Sequence, residues 1–276
     1  MPKTILSISS LDDLNLQADA YALGYEKYTL FAAHYFSYEE IKSIKDKNIF
    51  ILMNALIHEK EVEEAIKEVD KLISLGVGFI IQDIGLLKYL STKVDKNKLL
   101  FFPYTYICNK EELSAYYDLL GVDINISNEL TLEEIKTTLS SGHAVFNLFG
   151  YTPIYQSYRK ILSLYQQEKR LDLPSEIYLK ENTRNDKYPV IENKYGSVIF
   201  RSHPNSYLEN YSYVKEADYL FIDSFKIEHS LLVKIMELTN KLIKEEIKEG
   251  DILKEYQEIG FTSFDDFKYK KTVVKK

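Results

Sequence analysis

The sequence predicts an α/β chain folded as a (β/α)8 TIM-barrel-like unit, with a β-hairpin inserted before the last strand. Eight apolar runs of strand length alternate with helical patterns, each unit spanning about twenty to thirty residues. No glycine-rich phosphate loop follows the first run, so the doubly wound alternative lacks its signature. The stretch "RNDKYPVIENKYGSVIF", Arg184 to Phe200, breaks the alternation, because two runs rich in Tyr, Val, Ile and Phe flank a turn-like "ENKYGS".

"KTILSI" (Lys3 to Ile8), "KYTLFA" (Lys27 to Ala32) and "NIFILMNAL" (Asn48 to Leu56) are the first three predicted strands. Their continuous apolar character points to strands covered on both faces. In "HEKEVEEAIKEVDKLISLG", Val62, Ile66, Val69, Leu72 and Ile73 recur at helical spacing and Gly76 supplies a stop. "VGFIIQD" (Val77 to Asp83), "KLLFFPY" (Lys98 to Tyr104), "VDINIS" (Val122 to Ser127) and "HAVFNLFG" (His143 to Gly150) continue the series. Between the last two, Thr131 with Glu134 three residues on makes a capping box for "TLEEIKTTL". "ADYLFID" (Ala217 to Asp223) is the eighth strand, and a helix from about Glu228 to Lys248 closes the pattern. The expected organisation is one barrel domain over 1–248, with the hairpin insertion at 176–203 on its functional rim, and a C-terminal extension over 249–276.

At 276 residues, 45% hydrophobic and 28% charged, the chain has the composition of a soluble globular protein. It shows neither a membrane-length apolar run nor a signal-peptide succession, so a cytoplasmic location with no membrane partner is expected. The net charge of -7 argues against tight non-specific nucleic-acid binding by the whole surface, leaving a local basic patch open, and no DNA partner is expected. Cys108 is the only cysteine, which excludes an internal disulfide and any multi-thiolate metal or iron-sulfur site built by this chain alone. No cofactor is expected on it.

Five segments in order carry a family likeness: "NALIH", "SNELTLEEI", "TRND" running into "YPVIENKYGSVIF", "ADYLFID", and the ending "GFTSFDDFKYKKTVV". Together they resemble the collagenase-like peptidase family U32, and within it a branch of shorter, paired proteins that take part in 5-hydroxylation of the wobble uridine of bacterial tRNA. The resemblance implies a larger, cysteine-bearing relative as partner and tRNA as a further one. Departures from the family pattern are equally specific. Phe149 and Pro153 stand where the resemblance leads one to expect a His and a first Cys, Asn128 stands for an Arg, and Phe221-Ile222-Asp223-Ser224 replaces a Lys-Ile-acid-Gly succession. A degenerate member working as a subunit is therefore expected.

In a barrel, chemistry gathers at the C-terminal ends of the strands. Glu129, Asp223 and His58 are the candidate catalytic residues. His58 is of the residue type most often used as acid or base, or simply begins a helix as a polar residue. Glu129 matches the family acid, or favours a helix N-terminus. Candidate substrate-binding residues are Asn54, Gln82, Asp83, Tyr104, Asn147, Tyr155, Arg159, Arg184 and Tyr188. Asp83 could equally cap the following helix. The two arginines suit bidentate contact with phosphate or carboxylate and belong to a set of only four in the chain.

"YTPIYQSYRKILSLYQQEKR" reads either as base-stacking aromatics beside cations or as an amphipathic segment over the mouth, with Ile154, Tyr158, Ile161, Leu162 and Tyr165 at helical spacing. The lysine-rich "KYKKTVVKK" ending reads as a solvated tail, with contact to RNA phosphates as the lesser alternative. No Ser or Cys sits in a recognisable nucleophile elbow and the histidines show no paired metal-ligand spacing. Three functions stay open: a subunit in tRNA hydroxylation, a collagenase-like protease, and a non-catalytic scaffold.

Overall fold

The computed structural model describes residues 1–104, 106–180, 182, 185–264 and 268–269. The first half runs β1 (Lys3–Ser7), β2 (Ala20–Tyr25), β3 (Tyr35–Phe36), α1 (Tyr38–Ser43), β4 (Ile49–Met53), α2 (Val62–Ile73), β5 (Gly78–Ile81), α3 (Ile84–Leu90), β6 (Leu99–Phe101), α4 (Lys110–Leu120), β7 (Asp123–Asn125) and α5 (Leu132–Leu139). The second half runs β8 (Ala144–Gly150), β9 (Pro153–Ser157), α6 (Ile161–Lys169), β10 (Glu176–Lys180), β11 (Lys187–Asn193), β12 (Gly196–Phe200), β13 (Asn205–Ser206), α7 (Tyr211–Val214), β14 (Tyr219–Ile222), α8 (His229–Ile243) and α9 (Ile252–Glu258).

Eight parallel strands, in the order β1-β14-β8-β7-β6-β5-β4-β2, close on themselves through the β1–β2 pairing. This is the expected barrel. Its interior holds Ile5, Ala20, Ala22, Phe50, Leu52, Ile80, Leu100, Phe102, Val145 and Phe221. Large and small side chains complement one another there, as a filled barrel requires. A Cβ on Gly78 would stand 2.7 Å from the Phe50 ring, so the ring occupies the space that the glycine leaves. The second, larger core lies between the strands and the surrounding helices, where Val69 and Leu72 of α2 and Ile135 of α5 are fully buried.

The second strand is a correction. It is Ala20–Tyr25 and not Lys27–Ala32. Tyr28 takes a left-handed backbone (φ 60°), which turns the chain out of the sheet. Residues 29–31 then satisfy their polar groups outside a ladder: the Thr29 hydroxyl donates to the Leu52 carbonyl (2.7 Å), and Asn54 Oδ1 accepts the Leu30 and Phe31 N–H groups (2.8 and 3.3 Å). An apolar run of strand length can serve equally as a buried loop when side chains meet its backbone.

The hairpin is β11–β12, turning at Lys194-Tyr195. It belongs to a wider insertion, a four-stranded antiparallel sheet in the order β10-β11-β12-β9. "PIYQS" is thus strand β9, and only Ile161 onward of the aromatic-rich segment is helical. The hairpin tip is tied to the barrel by Asn193, whose Nδ2 donates to the carbonyls of Thr29 and Leu30 (3.1 and 2.9 Å). Beneath α6, buried Glu192 accepts the Leu162 and Ser163 N–H groups (2.7 and 3.0 Å) and the Ser197 hydroxyl (2.8 Å).

The last helix of the barrel ends at Ile243, and the extension beyond it packs back on the barrel. Ile252 and Tyr256 of α9 are buried, and so is Lys268. The first residue of the lysine-rich ending is therefore not solvated: Lys268 Nζ meets Glu209 at 2.6 Å, and its carbonyl accepts the Leu132 N–H. The rest of the tail, 270–276, lies outside the described residues. Among those described, no helix is long and apolar enough to cross a membrane.

Candidate functional site

Two chambers occupy the C-terminal mouth of the barrel. The inner one, on the barrel axis, holds about 20 Å³, room for a single water, and is walled by Phe31, Phe149 and Phe221 with Tyr104, Asn128, Asn147 and Asp223. The outer one holds about 280 Å³ and lies between the β5 and β6 ends and the inserted strand β9. Tyr104 and Pro153 line both.

Tyr104 is held in a left-handed backbone conformation (φ 62°), uncommon for a side chain of that size. Its hydroxyl accepts from Asn54 Nδ2 (3.1 Å). Burial, against the hydrogen bond from Asn54, raises its pKa well above the usual phenol range, so the hydroxyl keeps its proton. Asn54 itself is fully buried and clamps the 30–31 loop with its remaining groups, including a 2.9 Å bond to the Phe31 carbonyl. Asn193, the loop, Asn54 and Tyr104 thus form one continuous hydrogen-bonded chain from hairpin to barrel.

Among the described residues, Asp223 is the only carboxylate lining the inner chamber. Burial pushes its pKa up to about 6, opposed by the Phe225 N–H (3.0 Å) and the Ser7 hydroxyl. At neutral pH it stands near its own titration point, as a proton-exchanging group would. Opposite it, three asparagines interlock: Asn125 donates to Asn147 Oδ1 (3.3 Å), Asn147 donates to Asn128 Oδ1 (3.1 Å), and Asn128 donates to the Asn147 carbonyl (3.1 Å). The amide at 128, where the resemblance leads one to expect an Arg, belongs to a neutral network.

Gln82, at the end of β5, and Gln156, on β9, exchange two amide bonds of 3.0 and 2.9 Å across the floor of the outer chamber. Asp83 beside it caps α3 by accepting the Leu86 N–H (2.9 Å) and holds the β4–α2 loop through the Ile57 N–H (3.0 Å). Tyr155 is 45% exposed on the chamber wall and Tyr106 67% exposed at its lip. Arg159 is exposed just past β9. Tyr188 sits on β11 opposite Leu179, and Arg184 lies outside the described residues.

The three candidate catalytic residues lie apart. His58 is exposed and packs edge-on against Tyr158 (4.3 Å between ring centres). Glu129 is exposed on the β7–α5 loop, where its charge is felt by Cys108 rather than by the chamber. Only Asp223 enters the mouth. Gln156 and Tyr106 were not singled out individually by sequence reasoning; the signal for Gln156 was its place in the aromatic-rich stretch, and Tyr106 follows strand six without any motif.

The family profile that matches is Peptidase family U32, over residues 12–234. The chain belongs to peptidase family U32. No curated protein and no solved structure is found to match. An iron-sulfur centre built from several thiolates does not fit this U32 domain. Cys108 is exposed and is the one cysteine of the chain, whereas such a centre takes several thiolates. Phe149 is buried against Phe261, and Pro153 forms the wall between the chambers. Among the described residues, no three His, Cys, Asp or Glu side chains gather as a metal site would require.

Proposed function

We propose that this U32 domain is a substrate-holding subunit in the 5-hydroxylation of tRNA wobble uridine, working with a larger, cysteine-bearing relative. The observation that carries the reading is the division of the mouth. The inner chamber has room for about one water and, among the described residues, a single carboxylate, whereas the room for a nucleoside lies in the outer chamber. Hydroxylation of a pyrimidine carbon is a two-electron oxidation, and the side chains gathered here offer no oxidant. The relative supplies it, and this chain supplies the pocket and one titratable carboxyl.

The inserted sheet supports the same reading, because β9 contributes Pro153, Ile154, Tyr155 and Gln156 to the lining of the outer chamber. Nucleoside mass spectrometry of bulk tRNA from a strain lacking the gene, against its parent, tests it. Loss of 5-hydroxyuridine and its derivatives, restored by the intact gene, is the expected result. An unchanged nucleoside profile in cells that contain the modification overturns it.

A further inference from the structure

We infer that the outer chamber receives one unpaired nucleobase, packed against Tyr106 and Tyr155 and read along its edge by the Gln82–Gln156 pair. This rests on the RNA reading proposed above and names what the pocket takes. Among the described residues, the chamber's lining contains no charged side chain: it is built from tyrosines, two glutamines, two prolines, Leu56 and Ile154. In a chain that is 28% charged, so neutral a pocket selects an uncharged ligand. By contrast, the larger cleft of about 580 Å³ behind the hairpin is lined by Glu26, Glu176, Lys194 and Lys226.

The amide arithmetic defines the edge that is read. A primary amide has two N–H donors and an oxygen with two lone pairs. The reciprocal bonds between Gln82 and Gln156 use one N–H and one lone pair of each. One donor and one acceptor therefore remain on each side chain, fixed in orientation by the pairing. A flat heterocycle with alternating carbonyl and N–H groups, such as uracil, meets that pattern.

Tyr106 and Tyr155 supply the flat apolar faces that a base needs for stacking, and their exposure leaves them open to it. Arg159 and Lys160 are exposed immediately after β9, where a flanking phosphate would pass. With a net charge of -7, the surface as a whole repels a polyanion, so in this inference the base rather than the backbone carries most of the affinity.

The test uses the full chain and two labelled RNA hairpins with a seven-nucleotide loop, one with uridine at the central loop position and one abasic there, followed by fluorescence anisotropy. The uridine hairpin is expected to bind roughly tenfold or more tightly than the abasic one, the effect of about one stacked base. Tyr155→Ala should erase that preference, and Tyr155→Phe should keep it. Both substitutions are at an exposed ring, so unchanged circular dichroism and melting temperature will show that the fold is intact.

Equal binding of the two hairpins, no measurable binding of either, or a preference that survives both Tyr155→Ala and Tyr106→Ala overturns the inference. Base-blind binding combined with loss of wobble hydroxylation in the deletion strain would overturn the pocket assignment while the proposed function stands. An unchanged nucleoside profile, read in cells and not in the binding assay, is the separate failure of the function.

Discussion

Gln82 and Gln156, seventy-four positions apart, hold each other by two amide hydrogen bonds of 3.0 and 2.9 Å, and with the Asn193 bonds to the Thr29 and Leu30 carbonyls this pair joins the inserted sheet to the barrel. Each bond of this kind contributes about 0.5–1.5 kcal/mol, and an orphaned amide adds its own desolvation penalty. Gln156→Ala is expected to destabilise the chain by about 1–2 kcal/mol in urea unfolding. Because the two side chains act as one unit, the Gln82→Ala/Gln156→Ala double variant should lose clearly less than the sum of the singles. A strictly additive double-mutant cycle would show that the pair is not coupled.

Asp223 gives stability a particular pH dependence. Its folded-state pKa is pushed up to about 6, whereas an Asp in the unfolded chain titrates near 3.9. Between those values the folded chain holds a proton that the unfolded chain has released, so the contribution of this group is greatest below about pH 4 and is lost as the pH rises through 6. The size is on the order of 2–3 kcal/mol. Asp223→Asn keeps an acceptor for the Phe225 N–H and removes the titration. The variant should therefore be more stable than the parent at pH 7.5, with the difference vanishing near pH 4, as measured by urea unfolding at both pH values. A difference independent of pH would count against the buried-carboxyl account.

The barrel was legible in the sequence because its strands are continuous apolar runs, and the hairpin because "ENKYGS" separates two β-branched stretches. Periodicity could not choose between "AYALGY" and "KYTLFA", two adjacent apolar runs; the choice depends on Asn54 and Thr29 meeting a loop backbone from far along the chain. The site was legible only as a set of strand ends. That Asp223 lines the mouth while Glu129 and His58 face elsewhere depends on where each loop turns, and residue identity does not encode this locally. Helical spacing in the aromatic-rich stretch misled for a related reason, since Pro153–Ser157 gains its ladder from β12, which follows some forty residues later.

Glu68 should carry the opposite pH signature to Asp223. It is buried on α2, and burial by itself would raise its pKa. Lys71 (2.7 Å), Lys27 (3.0 Å) and the Tyr25 hydroxyl (2.8 Å) outweigh that and lower it to about 2. An unfolded Glu titrates near 4.3, so this group stabilises the fold above that pH and the contribution is lost as the pH falls toward 2. Glu68→Gln removes the charge that the two lysines and Tyr25 share. It should lower stability at pH 7 by about 1–3 kcal/mol, with the gap to the parent narrowing as the pH falls below 4. Equal acid sensitivity of parent and variant would assign acid unfolding to other carboxylates.

The docked C-terminal segment gives the last expectation. Lys268 is buried with its ammonium on Glu209, over the Tyr207 ring (4.9 Å from its centre), and Glu209 also accepts from Ser263 and Tyr256. Removing one partner of such a pair leaves the other charge buried, an effect of about 3–5 kcal/mol. Lys268→Met fills the same volume without the charge and should destabilise strongly. Lys268→Met/Glu209→Gln, which removes both charges, should recover much of the loss. The hydrogen exchange of the Leu132 amide, which donates to the Lys268 carbonyl, reports docking directly. Faster exchange in the single variant and its recovery in the double would show that the segment is held by this ion pair. Unaltered exchange in Lys268→Met would mean that the α9 contacts alone, through Ile252 and Tyr256, keep the extension in place.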